Sequence, residues 1–207
     1  MNPSNNTSAF NILVAEDNFT NQVILEKILQ AAGWQVKTAL NGRQALEYLA
    51  QQTFDLVLMD SPPQLGFLTI AGMAAASSLI VPLTPSMLDV SSTAQFLELA
   101  GAYMGVIEDA GATLQYDHFK FLITRDEPTD VPSQQLTSFM RALFQDRVMS
   151  ATALKSTAIS DATMLKQSIY EVVRSEMTRA TYDRAKGSMD AVGHEVETMI
   201  QQSWGRK

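Results

Sequence analysis

Apolar and polar positions fall into short alternating blocks along the first sixty residues. Asn11 to Ala15 (NILVA) is a β-branched apolar run, which predicts a buried strand. From Phe19 to Ala32, Val23, Ile24, Ile28 and Leu29 recur at helical spacing, and Gly33 stands where a C-terminal cap is expected. Trp34 to Ala39 alternates as a second strand, and Asn41-Gly42 turns the chain. Arg43 to Gln52 reads as a second helix with Ala45, Leu46 and Leu49 facing inward. Phe54 to Met59 is a third buried strand ending at Asp60. Strand and helix in alternation with short links predict right-handed crossovers and a parallel sheet.

The rhythm continues with longer helices. Phe67 to Ser77 predicts a helix of small residues, Leu79 to Thr84 a fourth strand, and Leu88 to Asp109 a long helix. Phe119 to Thr124 follows as a fifth strand and Ser133 to Gln145 as another helix. Pro82 is awkward inside a strand, because it donates nothing to a ladder. A short sixth strand fits Arg147 to Ser150. Ser160-Asp161 is placed to cap a helix running toward Arg174, and Thr178 to Trp204 reads as one or two amphipathic helices. The expected fold is therefore a single doubly wound parallel α/β sheet. Its order is the flavodoxin-like 2-1-3-4-5, with helices on both faces and a helical extension at the C-terminus. Met1 to Ser8 is polar, and residues 1–10 read as a disordered leader; 11–60 and 61–207 form two halves of one continuous domain.

Composition removes several classes. Zero Cys excludes disulfides, thiolate zinc sites and cysteine nucleophiles, and fits a reducing cytoplasm. The two histidines, His118 and His194, are too far apart for a local metal pair. No apolar stretch reaches the roughly 20 residues a bilayer requires, so no membrane partner is expected. A net charge of -7 argues against a globally basic nucleic-acid surface, which makes DNA an unlikely partner.

Candidate chemistry lies at the strand ends, where open parallel sheets collect function. Glu16 and Asp17 follow the first strand and Asp60 the third, and in the expected order those strands are neighbours. Converging carboxylates repel unless a cation intervenes, and hard oxygen ligands suit Mg²⁺. The plainer alternative is that these acids cap the following helices or face solvent.

The strings AEDN at the first strand end, NG before the second helix and FDLVLMD at the third strand resemble the first half of a response-regulator receiver domain. That resemblance implies Glu16 and Asp17 as Mg²⁺ ligands and Asp60 as phosphoryl acceptor from a histidine kinase or other phosphodonor. It also implies the carbonyl of Pro62 as a further metal ligand, Thr84 as the hydroxyl ending the fourth strand, and Arg125 as the cation at the fifth.

After Asp60 the text changes. DSPPQLGF, PSMLDV, ITRDEP, LKSTAISDA and the ending QSWGRK resemble in order the second half of ParA-type partition ATPases, in particular the plasmid-replicon branch. In that family the aspartate matching Asp60 helps hold the nucleotide Mg²⁺. The glycine-rich lysine loop that would cradle phosphates is absent, and Glu16-Asp17-Asn18 stands in its place. Lys155-Ser156-Thr157 lacks the preceding glycines.

Two functional expectations follow. The first is an engineered or recombinant α/β chimera, spliced at Asp60, without an evolved catalytic task and retaining at most a receiver-like Mg²⁺ and phospho-acceptor pocket. The second is a partition-protein-like module that dimerises or binds DNA and, lacking the phosphate loop, does not hydrolyse ATP. The residue-level reading of Arg174, Arg179, Arg184 and Lys186, mixed with Glu171, Glu176 and Asp183, is a solvated helix face. The resemblance makes them remnants of a DNA-contacting surface.

Overall fold

The computed structural model describes residues 10–31, 33–61, 64–165, 167–172 and 179–204. Residues 1–9 of the expected leader and Arg174 lie outside these residues, whereas Phe10 lies within them. The first strand, β1 (Asn11–Ala15), pairs in parallel with β2 (Gln35–Ala39) on one side and β3 (Leu56–Met59) on the other. Helix α1 (Phe19–Ala31) links β1 to β2, and α2 (Gly42–Gln51) links β2 to β3. Gly33, at φ 85, ends α1 in the left-handed region, where a residue without a Cβ carries no steric cost.

Alternation along β1 decides what each helix covers. Ile12 and Val14 face α1 and join Leu25 and Leu29 in one cluster. Leu13 faces the other way and meets Ala39, Ala45 and Tyr48. The helices therefore lie on opposite faces, as a doubly wound sheet requires. Only Ala45 of the three expected inward residues of α2 is buried; Leu46 and Leu49 face solvent. Tyr48 takes the inner position instead, with Lys37 Nζ 3.8 Å above its ring.

Helix α3 (Phe67–Ala75) leads to β4 (Ser78–Leu83), α4 (Met87–Asp109), β5 (His118–Asp126) and α5 (Val131–Phe144). A two-residue β6 (Ala153–Leu154) pairs with the end of β5. At the expected sixth strand, Arg147 to Ser150, a single parallel bridge joins Val148 to Phe121. Leu83, Phe121, Ile123, Met140 and Val148 form the core here, with α4 and α5 on the same face.

The α/β class with parallel strands and flanking helices is as expected, but its continuity is not. Among the described residues the strands bond as two three-stranded sheets, β2-β1-β3 and β4-β5-β6, with no ladder from β3 to β4. This corrects the expectation of one unbroken 2-1-3-4-5 sheet. It also accounts for Pro82, which is tolerated because β4 is an edge strand.

Two corrections fall in the C-terminal part. Helix α6 (Thr157–Met164) starts at Ser156, whose side chain accepts from the Ala158 N–H, so Ser160 and Asp161 lie inside it rather than capping it. Helix α7 (Arg179–Ser203) is one uninterrupted element. It reaches both sheets. Glu195 accepts from the Ser150 and Ala151 N–H groups beside β6, and His118 meets the Met199 carbonyl at 3.0 Å. Beyond its end, Trp204 stacks on Phe10 at 4.4 Å between centroids.

Candidate functional site at the strand ends

Glu16 is set by β1 and turned inward. It is 4% exposed, its Oε1 accepts from the Asn18 N–H at 2.8 Å, and its Oε2 is buried without a hydrogen-bond partner. The Gln22 side chain donates to the Glu16 carbonyl. Asn18 then caps α1, its Oδ1 accepting from Thr20 N–H at 2.9 Å and Asn21 N–H at 3.3 Å. The first turn of α1 therefore spends its free donors on this chain's own side chains.

Asp60 sits beside that turn as expected, its N–H donating to the Ala15 carbonyl at 3.2 Å. Both Asp60 and Asp17 are exposed while Glu16 points into the protein. Strand adjacency brings the three backbones together and side-chain direction separates the carboxylates. Among the described residues no three His, Asp or Glu groups are grouped so as to hold a metal ion. Pro62 lies outside the described residues. As placed, Glu16, Asp17 and Asp60 do not fit a Mg²⁺ ion.

Thr84 directly follows β4 and Arg125 lies on β5, both in the second sheet. With no ladder between β3 and β4, the fold does not carry Thr84 and Arg125 to Asp60 along one sheet edge. Arg125 occupies a bulge where β5 shifts register against β6, with φ 53. A bulge re-aims side chains on either side of it: Arg125 turns to solvent and Asp126 turns inward. Asp126 was not singled out in the sequence. It is 7% exposed and accepts from Thr152 Oγ1 at 2.9 Å and Thr137 Oγ1 at 3.3 Å, tying β5 to α5 and to the segment before β6. Two threonines far apart in the chain gave no local signal for it.

A second concave region lies where α6 begins. A cavity of about 210 Å³ is lined by Lys155, Ser156, Thr157, Thr181 and Arg184. Lys155 reaches Glu127 at 2.7 Å. This combines a guanidinium, an ammonium and three hydroxyls around one opening.

A family model described as an AAA domain matches residues 3–104, running across Asp60 without interruption. A Sinorhizobium fredii protein described as a replication protein A is 47% identical over 154 residues, 74% of this chain and 38% of that protein. Its Rhizobium rhizogenes counterpart is 44% identical over 163 residues, 79% of this chain and 40% of that protein. The chain thus spans about two fifths of the length of these curated relatives. The transcriptional regulatory protein ZraR of Escherichia coli is 47% identical over 49 residues, 24% of this chain and 11% of that protein. Among solved structures, a partition protein superimposes with TM-score 0.54 at 15% identity, over 86% of this chain and 46% of that one. A Cyanothece McdA–ATP complex gives TM-score 0.54 at 19% identity, over 90% and 86%.

These likenesses correct the first functional expectation. The similarity to replication proteins extends over most of the chain, and the family model crosses the supposed joint. An engineered fusion with a receiver pocket is therefore not supported, nor is a histidine kinase partner. Among the described residues no helix is long and apolar enough to cross a membrane.

Proposed function

We propose that this chain is a partition-type module that self-associates and contacts DNA through its C-terminal region, without hydrolysing ATP. Similarity to the Thermus thermophilus chromosome-partitioning ATPase Soj, 27% identical over 118 residues, supports the partition side of this reading. One observation carries the absence of hydrolysis: the α1 N-terminus, where a phosphate loop would present its N–H groups, is closed by Asn18 and underlain by the buried Glu16. A triphosphate there would meet a carboxylate rather than free donors.

DNA contact is assigned to the rim of the cavity at the α6 start. Arg184, with Lys155 beside its partner Glu127, offers positive charge locally in a chain of net charge -7. Phosphates would be held by Arg184 and Lys155, with Ser156, Thr157 and Thr181 as hydroxyl donors. Binding would be weakly sequence-dependent and would fall steeply with salt, since counterion release sets the slope.

Fluorescence anisotropy with duplex DNA at several salt concentrations tests this reading. Arg184→Ala should weaken binding and lower the salt slope by about 1 for one lost phosphate contact. Absence of binding at low salt removes the DNA assignment. Phosphate release from ATP should stay at background, and turnover removes the assignment of a closed α1 turn.

A further inference from the structure

We infer that Glu127 competes with DNA phosphates for Lys155 at the cavity where α6 begins, forming a latch that DNA must open. The inference rests on the reading of that cavity as the DNA-contacting surface and names what regulates it. Strands β5 and β6 run parallel, Asp126 is the partner of Leu154, and both strands stop there. The next residue of each is therefore set side by side at one sheet edge: Glu127 after β5 and Lys155 after β6. The Lys155 N–H donates to the Asp126 carbonyl at 3.0 Å, which fixes the base of its side chain. Its ammonium then donates to Glu127 Oε1 at 2.7 Å.

The two partners differ in freedom. Glu127 stands on a stiff turn. Its N–H donates to Ser133 Oγ at 3.2 Å, its carbonyl accepts from the Asp130 N–H at 2.9 Å, and Pro128 restricts its backbone. Asp130 in turn caps α5 by accepting from the Ser133 N–H. The carboxylate is thus presented from a fixed base, whereas Lys155 carries its charge on a flexible four-carbon stem. When the pair opens, the ammonium moves and the carboxylate stays. Glu127 does not line the cavity, so the pair draws the ammonium toward the turn before α5 rather than across the opening.

Of the two cations at the cavity, this one alone is held. Arg184 has no ion-pair partner among the described residues. Lys186, the next cation along α7, is tied to Asp190 at 2.8 Å and does not line the cavity. Arg184 is therefore the standing phosphate contact and Lys155 the conditional one. A phosphate oxygen offers the ammonium the same kind of charged acceptor as a carboxylate. The Lys155 and Glu127 side chains are 49% and 44% exposed, so the pair is weak and a released Glu127 is hydrated at once. The latch thereby lowers DNA affinity by a small factor without closing the site.

Fluorescence anisotropy with duplex DNA at low salt tests the latch on the full chain in wild type, Glu127→Gln, Lys155→Gln and the double variant. Glu127→Gln keeps the size of the side chain and removes its charge. It should tighten binding about three- to five-fold, the worth of an exposed ion pair. Lys155→Gln should weaken binding. In that background the Glu127 substitution should change affinity by less than about 1.5-fold, because no ammonium is left to release. Both side chains are about half exposed, and circular dichroism should show an unchanged fold in every variant. Equal tightening in the two backgrounds would mean general repulsion by the carboxylate and overturns the latch, as does Glu127→Gln without tightening. In either case, wild-type binding that Arg184→Ala weakens leaves the DNA assignment standing. Wild type and Glu127→Gln that both fail to bind overturn the assignment and the latch together.

Discussion

The Trp204 indole donates its Nε1–H to the Asp55 carbonyl at 3.3 Å, across 149 positions of chain. The same ring stacks on Phe10 and, with Ile12, Trp34, Leu56 and Ile200, encloses an apolar cavity of about 20 Å³. The end of the chain thereby covers the start of the first sheet on the α1 side.

Trp204→Ala should cost about 2–3 kcal/mol, somewhat below the range for fully buried aromatics because the ring stays 36% exposed. Urea denaturation followed by far-ultraviolet circular dichroism measures it. A loss below about 0.5 kcal/mol, typical of a surface substitution, would show that the C-terminal residues merely lie against the sheet.

Arg125 holds a left-handed backbone at φ 53, which costs a non-glycine residue about 1 kcal/mol. Arg125→Gly should therefore be neutral or stabilising by up to ~1 kcal/mol, the relief being partly offset by the greater freedom of glycine in the unfolded chain. Thermal unfolding of the variant is the check, and a clear destabilisation would mean that the guanidinium makes a structural contact.

Asp126→Ala leaves the Thr137 and Thr152 hydroxyls without their acceptor at the bulge. The expected cost is about 2 kcal/mol, from two lost charge-assisted hydrogen bonds and donors left poorly satisfied. Asp126→Asn, which keeps one acceptor oxygen, should recover part of it. Equal losses in the two variants would exclude the hydrogen bonds as the cause.

Glu171 supplies a pH dependence of known sign. The Ser168 N–H donates to its carboxylate at 2.8 Å, and Lys27 lies 3.4 Å away across from α1. The Ser168 hydrogen bond first, with Lys27 adding to it, holds the carboxyl below its ordinary value of 4.5. A folded-state value depressed in this way contributes stability above the unfolded value, lost as pH falls through the folded one. Wild type should exceed Glu171→Gln by about 0.5–1 kcal/mol at pH 7. The two should converge as pH drops below 4.5. A difference that persists at pH 3 would contradict an electrostatic origin.

Tyr170 behaves in the opposite sense. Burial first, and then its hydrogen bond to Asp190, raise the phenol to about 12. Absorbance near 295 nm should show late-titrating tyrosine, to which Tyr116, also raised by burial, contributes beside Tyr170. Asp190→Asn should bring Tyr170 back toward the ordinary value of 10.

The elements were legible where a short apolar run or a helical repeat stood alone. NILVA and LIVPLT are too short for buried helices and rich in branched residues, and Gly33 marks a helix end by its backbone freedom. What a single sequence does not carry is which elements meet. The missing β3–β4 ladder is a property of two edges more than fifteen residues apart, and Pro82 was its one local trace. Leu46 and Leu49 look inward by spacing, yet Ala45 and Tyr48 meet the sheet, with Lys37 over the tyrosine ring. At the candidate site, backbone placement of Glu16, Asp17 and Asp60 followed from strand order. The inward turn of Glu16 depends on Asn18 and Gln22, whose hydrogen bonds no spacing rule specifies.

The reach of α7 across both sheets has a consequence for how the chain matures during synthesis. The first sheet is complete by Met59, but the side of it formed by Phe10, Ile12 and Leu56 stays wet until Ile200 and Trp204 have left the ribosome. Roughly 140 residues must be translated in that interval, about 7–30 s at ordinary elongation rates. Nascent chains therefore carry an incompletely covered apolar patch through that interval, a window in which chaperones have a defined surface to hold and release.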